Sequence, residues 1–406
     1  MKDRAIIFLL LMGSYLGFYL VFPLFPTIFL SSTYHFLPMH TTPAMRSILL
    51  GSTIATYYLG AFFGTPLIGK LSDLYGKRRI LYLTFLAVGL MYFFTAFAIK
   101  FSSLILLLFL RFFTGFFDGC YSLAYSTLIG SDDKPHNLEF WNTIAINSGW
   151  ILGSFIGWNL VAHPAIDFKY FSFSFGASAS IYLLCFALIF FFFKGPRPKK
   201  VLTKNPFFSS LTSFKYASLK PVLISNTSFY AATFIFTSYI PIFLMKEYQF
   251  EPAILAKVES CLCLSYCFAP FTYWVYSKYC NRKQVMCISA LGTALSLTFL
   301  MLITFHGSLW IFLFMTSYFS ALGFSFSAFL VTDHSPTEDH GVALGVSQAL
   351  FILIEALVSF LCGLAAALWL YLPLLAAVLL SLFSAAWVFY KLLYRPKQTS
   401  IYNFSS

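Results

Sequence analysis

Long apolar runs separated by short polar connections dominate the pattern along this chain. Lipid offers the backbone no hydrogen-bond partners, so an apolar run of about 20 residues is predicted to cross a membrane as a helix. Twelve such runs lie near 5–30, 47–69, 80–99, 103–129, 140–163, 171–193, 221–245, 253–277, 284–305, 308–332, 341–368 and 371–394. The first run is long and has no small-residue cleavage site, so we expect a retained helix instead of a signal peptide.

Composition supports a membrane protein independently of the pattern. Of the 406 residues, 59% are hydrophobic and 10% are charged, and the mean hydropathy is +0.80. A water-soluble domain could not bury this much apolar surface. Three of the cysteines, Cys261, Cys263 and Cys267, look like a metal cluster. On a helix, residues two apart point about 200° apart, so we predict packing residues and no metal site.

The distribution of positive charge predicts the orientation. Of the 26 lysines and arginines, 20 lie on the side that carries the N-terminus, and Arg111 lies within a span. The positive-inside rule places the side with the excess in the cytoplasm, together with both termini. Topology therefore accounts for the net charge of +12, and no nucleic-acid partner is needed. The remaining five cations are expected at the outer side: Arg46, Lys100, Lys169, Lys246 and Lys257.

The longest polar interruption divides the chain into two halves. We predict a six-helix bundle over residues 1–193, a cytoplasmic central loop over 194–220, and a second six-helix bundle with a short cytoplasmic tail over 221–406. Paired halves with a substrate path between them near the membrane midplane are typical of secondary transporters.

A short loop between the second and third runs carries the most specific motif. Within residues 69–79, Gly69, Asp73, Gly76, Lys77 and Arg78 have the spacing Gly-x3-Asp-x2-Gly-Lys-Arg. This loop resembles the signature loop of the major facilitator superfamily of secondary transporters. The resemblance implies that these five residues form an inner gate, with Gly76 allowing a sharp turn.

Two further motifs extend the resemblance. Arg111-x3-Gly115-x3-Gly119 resembles the second signature of the superfamily, in which a buried arginine faces the pathway. A glycine-rich run in the fifth segment resembles the signature of the proton-driven exporters, although Ser154 and Trp158 depart from that pattern. Its glycines, which would let neighbouring backbones approach closely, are Gly149, Gly153 and Gly157.

The resemblance implies the fold, the function and the location. The fold would be all-α, with twelve transmembrane helices in two pseudo-symmetric six-helix bundles. The protein would move a small organic molecule by alternating access, as a monomer in the lipid bilayer of a bacterial inner membrane, driven by a proton gradient without a cofactor. Export is favoured, closest to the tetracycline-exporter-like drug and metabolite antiporters. Proton-coupled uptake of a metabolite or a metal chelate such as a siderophore remains the alternative.

Buried ionisable groups are the candidates for coupling and binding, because charge in a bilayer is costly. Asp118, Glu355 and Glu259 are the proton-coupling candidates. Glu355 could instead make a packing hydrogen bond to a neighbouring helix, and Glu259 could serve an outer gate. Arg111 lies seven residues before Asp118, hence on a similar helix face. It could tune that acid or bind an anionic substrate; the alternative is a structural ion pair that ties the fourth helix to a neighbour. Further candidate cavity residues are Tyr19, Asn226, Tyr230, Tyr239 and Tyr318. Asn226 and Tyr230, one turn apart, are the pair expected to contact substrate, unless they only form hydrogen bonds between helices.

Other function classes fit the sequence less well. A membrane-embedded enzyme needs convergent catalytic groups, and the one dense acidic cluster, Asp132-Asp133-x2-His136, lies in a predicted inner loop. No Gly-x4-Gly-Lys-Ser/Thr loop is present, which argues against ATP-driven pumping by this chain. A sensor would be expected to carry an additional soluble domain. We therefore predict a transporter and not an enzyme.

Overall fold

The computed structural model describes residues 2–30, 36–38, 40–118, 135–162, 169–193, 219–302, 306–335 and 340–394. Gly119, Asp132, Asp133 and most of the predicted central loop lie outside these ranges, as does the side chain of Asp73. The described residues form thirteen α-helices, and the last of them continues as a π-helix over Val388–Tyr394. They are α1 Lys2–Val21, α2 Leu24–Leu30, α3 Pro43–Tyr75, α4 Lys77–Lys100, α5 Leu104–Phe117, α6 Pro135–Ala162, α7 Lys169–Phe192, α8 Leu219–Glu247, α9 Pro252–Tyr279, α10 Arg282–Leu302, α11 His306–Asp333, α12 His340–Leu368 and α13 Leu372–Trp387.

Eleven stretches of helix are long and apolar enough to cross a membrane, and α5 is a shorter apolar helix. Helices α1 and α2 belong to one such stretch, Arg4–Leu30. Pro23 separates them, because proline has no backbone N–H to continue the helical hydrogen bonds. With α5 as the twelfth span, the predicted all-α fold with twelve transmembrane helices is confirmed.

The chain divides into two compact units. The first comprises Met1–Lys204, Pro241–Cys263 and Ser359–Trp369, and the second comprises Asn205–Ile240, Leu264–Val358 and Leu370–Ser406. Parts of α8, α9 and α12 therefore belong to the first unit together with the N-terminal helices. The sequence-based division at 194–220 stays a prediction.

In the first unit, α1 packs on α6, α3 on α5 and α4 on α7. The glycine-rich run makes the first of these contacts close. A Cβ added at Gly153 would lie 2.6 Å from the main-chain oxygen of Leu16, and Gly149 and Gly157 face α1 in the same way. Small residues let two helix backbones approach in this manner. The run is thus a packing surface for α1.

The turn between α3 and α4 occurs at a single residue. Gly76 has φ 93°, a region that L-residues with side chains rarely adopt,. Its N–H donates to the Ser72 carbonyl oxygen at 2.9 Å, which closes the end of α3. The glycine of the signature loop therefore lies at the sharp turn that the resemblance implied.

Two contacts in the first unit join the N-terminal half of the sequence to segments from its C-terminal half. A Cβ added at Gly51 of α3 would lie 2.6 Å from the Ser359 carbonyl oxygen and 2.9 Å from the Gly363 Cα of α12. The Lys246 ammonium donates to Ser47 Oγ at 3.2 Å. Both contacts lie where the sequence predicts the outer ends of these helices.

The second unit has an apolar core between α8, α10, α11, α12 and α13. Its fully buried members include Val222, Met286, Leu330 and Val388. The Ser225 and Ser384 hydroxyls lie 3.0 Å apart and tie α8 to α13. Small hydroxyl side chains thus supply polar contacts between helices where lipid-like surroundings offer no water.

Candidate functional site

Arg111 of α5 is 1% exposed, and no other lysine or arginine among the described residues is buried. Its guanidinium carbon lies 4.7 Å from the Phe25 ring centroid and 4.5 Å from the Tyr57 ring centroid. Both contacts are of the cation–π type, which stabilises a charge without pairing it. Nε and Nη1 have no hydrogen-bond partner among the described residues. Arg111 is therefore a buried permanent charge with open donor positions.

Tyr57 of α3 connects this arginine to the predicted coupling acid. The Tyr57 hydroxyl donates a hydrogen bond to Asp118 Oδ2, while its ring faces Arg111. Close approach of α3 and α5 makes this possible, because the Gly115 Cα faces the Tyr57 main chain. Neither Nε nor Nη1 of Arg111 bonds to Asp118. Tyr57 of α3 therefore contacts both Arg111 and Asp118.

An aromatic run extends from this point across α1 to α6. Phe18 contacts Tyr57 with ring centroids 5.1 Å apart, and Phe18 contacts Tyr19 at the same distance. Tyr19 in turn stacks on Trp150, with centroids 5.1 Å apart and ring planes 24° apart. The predicted cavity residue Tyr19 thus belongs to a continuous aromatic surface that begins beside Arg111.

Glu259 of α9 lies at the far end of that surface. It is 3% exposed, and its carboxyl group faces the indole N–H of Trp150. No cation among the described residues pairs with it. Burying an unpaired charge is costly, which is the reason this acid is a coupling candidate. The aromatic run thus connects Glu259 to the surroundings of Arg111.

The third acid candidate lies in the second unit. The Tyr230 hydroxyl donates to Glu355 Oε1 at 2.5 Å. The Tyr230 ring stacks on Phe351 of the same helix as Glu355, with centroids 4.1 Å apart. Tyr230 and Glu355, predicted separately, are therefore one pair. It has the same chemistry as Tyr57 and Asp118, a tyrosine hydroxyl donating to a carboxyl group.

The other predicted cavity residues make contacts between or along helices. Asn226 is 1% exposed and its Nδ2 donates to the Ser327 carbonyl oxygen at 2.9 Å. The Tyr239 hydroxyl donates to the Leu370 carbonyl oxygen at 3.0 Å, and Tyr318 shares a 2.7 Å hydrogen bond with Thr272. Asn226 and Tyr230 are one turn apart, and they donate to Ser327 and Glu355 respectively.

The signature loop residues lie at the junction of α3 and α4. Gly69 has open space around its Cα, and an Arg78 Nη2 donates to the Phe190 carbonyl oxygen of α7 at 2.9 Å. This bond ties the start of α4 to the end of α7. Lys77 begins α4. The inner-gate role of these residues stays a prediction.

A second polar cluster lies at the corresponding position of the second unit. Arg282 Nη1 lies 2.5 Å from Asp333 Oδ1, and its guanidinium carbon lies 5.0 Å from the Phe329 ring centroid. A cavity of about 570 Å³ adjoins this pair and is lined by Cys280, Asn281, Arg282, Lys283, Phe326, Asp333, Leu392 and Leu393. Asp333 was not a candidate from the sequence.

His334 follows Asp333 just beyond the span. Its Nδ1–H donates to the Leu330 carbonyl oxygen at 2.9 Å. Burial lowers the pKa of His334, the bond to Leu330 raises it, nearby Lys283 lowers it and Asp333 raises it. The balance is a lowered pKa, so the fold favours the neutral imidazole.

The sequence did not identify Tyr57, Phe25 or Trp150 as site residues. All three are aromatic residues in a chain that contains 52 phenylalanines and 25 tyrosines. Their importance comes from contacts with residues far away in the sequence, which no local pattern reports. Tyr57 and Gly115, for example, are neighbours because α3 packs on α5.

Comparisons with known proteins agree with this architecture. The family profile described as Major Facilitator Superfamily matches residues 7–272. An uncharacterized transporter of Rickettsia bellii (strain RML369-C) is 21% identical over 255 residues, 58% of each chain. The chain thus spans about three fifths of the length of that relative.

Solved transporters have the same fold at low sequence identity. The human organic anion transporter MFSD10 (TETRAN) superposes with a TM-score of 0.69 at 16% identity, over 95% of this chain and 99% of that one. A D-xylose-proton symporter gives 0.72 at 16% identity, over 95% and 97%. An auto inhibited POT family peptide transporter gives 0.75 at 12% identity, over 100% and 99%. These proteins are transporters and not enzymes.

Proposed function

The chain belongs to the major facilitator superfamily, and we propose that it is a proton-coupled secondary transporter that exports a small organic molecule by alternating access. It would act as a monomer in the lipid bilayer, in a bacterial inner membrane, with both termini in the cytoplasm. The proton gradient would supply the driving force, with no cofactor.

The observation that carries the proposal is the hydrogen bond between Tyr57 and Asp118 beside Arg111. Placing an ionisable group within a membrane bundle is energetically unfavourable, so such a group is a candidate for function. A tyrosine hydroxyl can donate to a carboxylate and can rotate to accept from a protonated carboxyl group. The pair can therefore exist with or without the proton.

A second tyrosine–acid pair supports the same reading. Tyr230 and Glu355 repeat the arrangement in the second unit. Glu259 is a third candidate, because its buried carboxyl group has an indole N–H and no cation beside it. Among the similar structures, one is described as a proton symporter, so proton coupling is compatible with this fold.

Direction of transport is proposed from the packing of α6 on α1. The glycines that make this contact, centred on Gly153, form the run that resembles the signature of proton-driven exporters. Ser154 and Trp158 depart from that signature and are both buried. Uptake of a metabolite or a metal chelate, driven by the same gradient, is the alternative.

The test uses purified protein in liposomes loaded with a pH-sensitive dye, with an imposed pH gradient and a panel of candidate substrates. We expect at least one compound to release protons with wild-type protein and none to do so with Asp118→Asn. Glu355→Gln and Glu259→Gln show whether coupling uses the other acids. Glu251→Gln, an exposed acid at the start of α9, is the matched control. If wild type and all three variants move substrate down its own gradient at the same rate, without proton release, proton coupling is contradicted.

The same vesicles decide the direction. Compounds that move protons only when supplied on the side exposing the basic loops are exported, since those loops are expected in the cytoplasm. A compound accumulated with the proton flux instead of against it would establish the uptake alternative.

A further inference from the structure

Resting on the proposed transport function, we propose that the transported molecule is an aromatic organic anion with a carboxylate-type group, and that Arg111 binds that group. Nothing in the proton coupling requires an anionic substrate. The inference comes from the surroundings of Arg111, taken together with the aromatic run that leads away from it.

Arg111 is charged at every physiological pH, because the guanidinium does not lose its proton. Its 1% exposure removes it from water, and its Nε and Nη1 find no acceptor among the described residues. A buried charge without a partner is strongly unfavourable. A protein that keeps one has a counter-ion that arrives from elsewhere, and a substrate anion meets that requirement.

Asp118 does not fill this role. Its Oδ2 accepts the hydrogen bond from Tyr57 and not from Arg111. The Tyr57 and Phe25 rings lie over the guanidinium, at 4.5 and 4.7 Å from its central carbon. Rings over the group leave its N–H edges as the positions that can bind an anion. A planar carboxylate fits such an edge with two parallel hydrogen bonds.

The aromatic run specifies the remainder of the molecule. Starting at Tyr57, it continues through Phe18 and Tyr19 to Trp150 with successive ring centroids 5.1 Å apart. Rings of this kind favour stacking with another flat ring.

Binding also requires a conformational change. Arg111 is nearly inaccessible in this structure because Phe25 of α2 and Tyr57 of α3 cover it. An anion reaches the guanidinium only in a state in which these helices have moved. Such a ligand shifts the population toward that state by its preference for it.

The test compares acids with their neutral amides on the full-length protein in detergent. The probes are benzoate, 1-naphthoate and indole-3-acetate, their amides, and the non-aromatic cyclohexanecarboxylate. Binding is measured by the shift in thermal unfolding and by tryptophan fluorescence. We expect the aromatic acids to bind at least tenfold more tightly than their amides, and cyclohexanecarboxylate to bind more weakly than benzoate.

Variants then assign the binding to Arg111. Arg111→Gln is expected to lose the preference for acid over amide, and Arg111→Lys to keep part of it, since lysine retains charge without the planar fork. Lys257→Gln, an exposed cation on α9, should behave as wild type. If Arg111→Gln does not fold, the acid and amide comparison on wild type still decides.

Three outcomes overturn the inference: amides that bind as tightly as acids, an Arg111→Gln variant that keeps the acid preference, or no aromatic acid binding to wild type. The proton assay gives a separate answer. Acids that bind through Arg111 without any proton movement would contradict the proposed coupling alone. Proton-driven transport of neutral compounds, with no response to acids, would contradict this inference alone.

Discussion

The side chain of Tyr57 makes two contacts that a single substitution can separate. Its ring lies against Arg111, and its hydroxyl binds Asp118. Tyr57→Phe keeps the first contact and removes the second. The variant therefore separates the two roles better than any change at Arg111 or Asp118 does.

We expect Tyr57→Phe to reduce proton-driven transport at least tenfold while substrate affinity changes little. A hydrogen bond to a charged group contributes about 1.5–3 kcal/mol, which corresponds to roughly tenfold or more. The measurement is gradient-driven flux in liposomes beside equilibrium binding in detergent. Tyr239→Phe is the control, because that hydroxyl donates to the Leu370 main chain. Wild-type flux in Tyr57→Phe would show that the hydroxyl is dispensable.

His334 predicts a pH dependence of stability. Its pKa in the folded protein lies below the ordinary value of 6.5, chiefly through burial. Between these two values the unfolded chain binds more protons than the folded one, so stability falls as the pH falls. The charged groups that act on the imidazole are Lys283 and Asp333, and Asp333 is paired with Arg282.

We expect wild type to lose thermal stability between pH 7.5 and 5.5, and His334→Gln to lose less over the same interval. Thermal unfolding in detergent at both pH values measures the difference. His40→Gln, a change at an exposed histidine, should follow wild type. An equal loss in His334→Gln would show that other groups determine the acid sensitivity.

At the level of helices, close packing of α1 on α6 depends on the absence of side chains. A methyl group at Gly153 would meet the Leu16 oxygen at 2.6 Å, and main-chain atoms cannot move aside as a flexible side chain can. Overpacking of this kind costs about 1–3 kcal/mol.

We therefore expect Gly153→Ala to lower the thermal unfolding temperature of the purified protein. Gly176→Ala in α7 is the matched control, because no atom lies within 4 Å of the added Cβ. Alanine is also a better helix former than glycine, so the control should be neutral or slightly stabilising. Equal behaviour of the two variants would contradict the close contact between α1 and α6.

For the whole molecule, the sequence was most informative about the spans and least informative about contacts between them. Apolar runs identify transmembrane helices because lipid imposes the same requirement on every span. The turn at Gly76 also followed from a local motif. The contacts of Asn226 with Ser327 and of Tyr230 with Glu355 did not follow from the sequence, because the neighbours of each helix set its rotation. Tyr57 and Trp150 were missed for the same reason.

The orientation in the membrane is tested by labelling single cysteines in intact cells. Ala44 and Leu74 are both exposed and lie near opposite ends of α3. We expect an impermeant maleimide to label Ala44→Cys and not Leu74→Cys, measured against the background of the native cysteines. Permeabilised cells, in which both should react, provide the control. Labelling of Leu74→Cys alone in intact cells would reverse the assigned orientation.

Gly51 and Gly363 bring α3 and α12 together through main-chain atoms. Interlocked side chains have to leave their preferred rotamers before helices can part, and each such step adds to an activation barrier. Two facing glycines have no side chains to rearrange, so we expect a low activation barrier for separating the helices at this crossing. The adjacent hydrogen bond from Lys246 to Ser47 is the polar contact to be broken there. We expect these ends to part quickly, leaving the turnover time to slower steps elsewhere in the cycle.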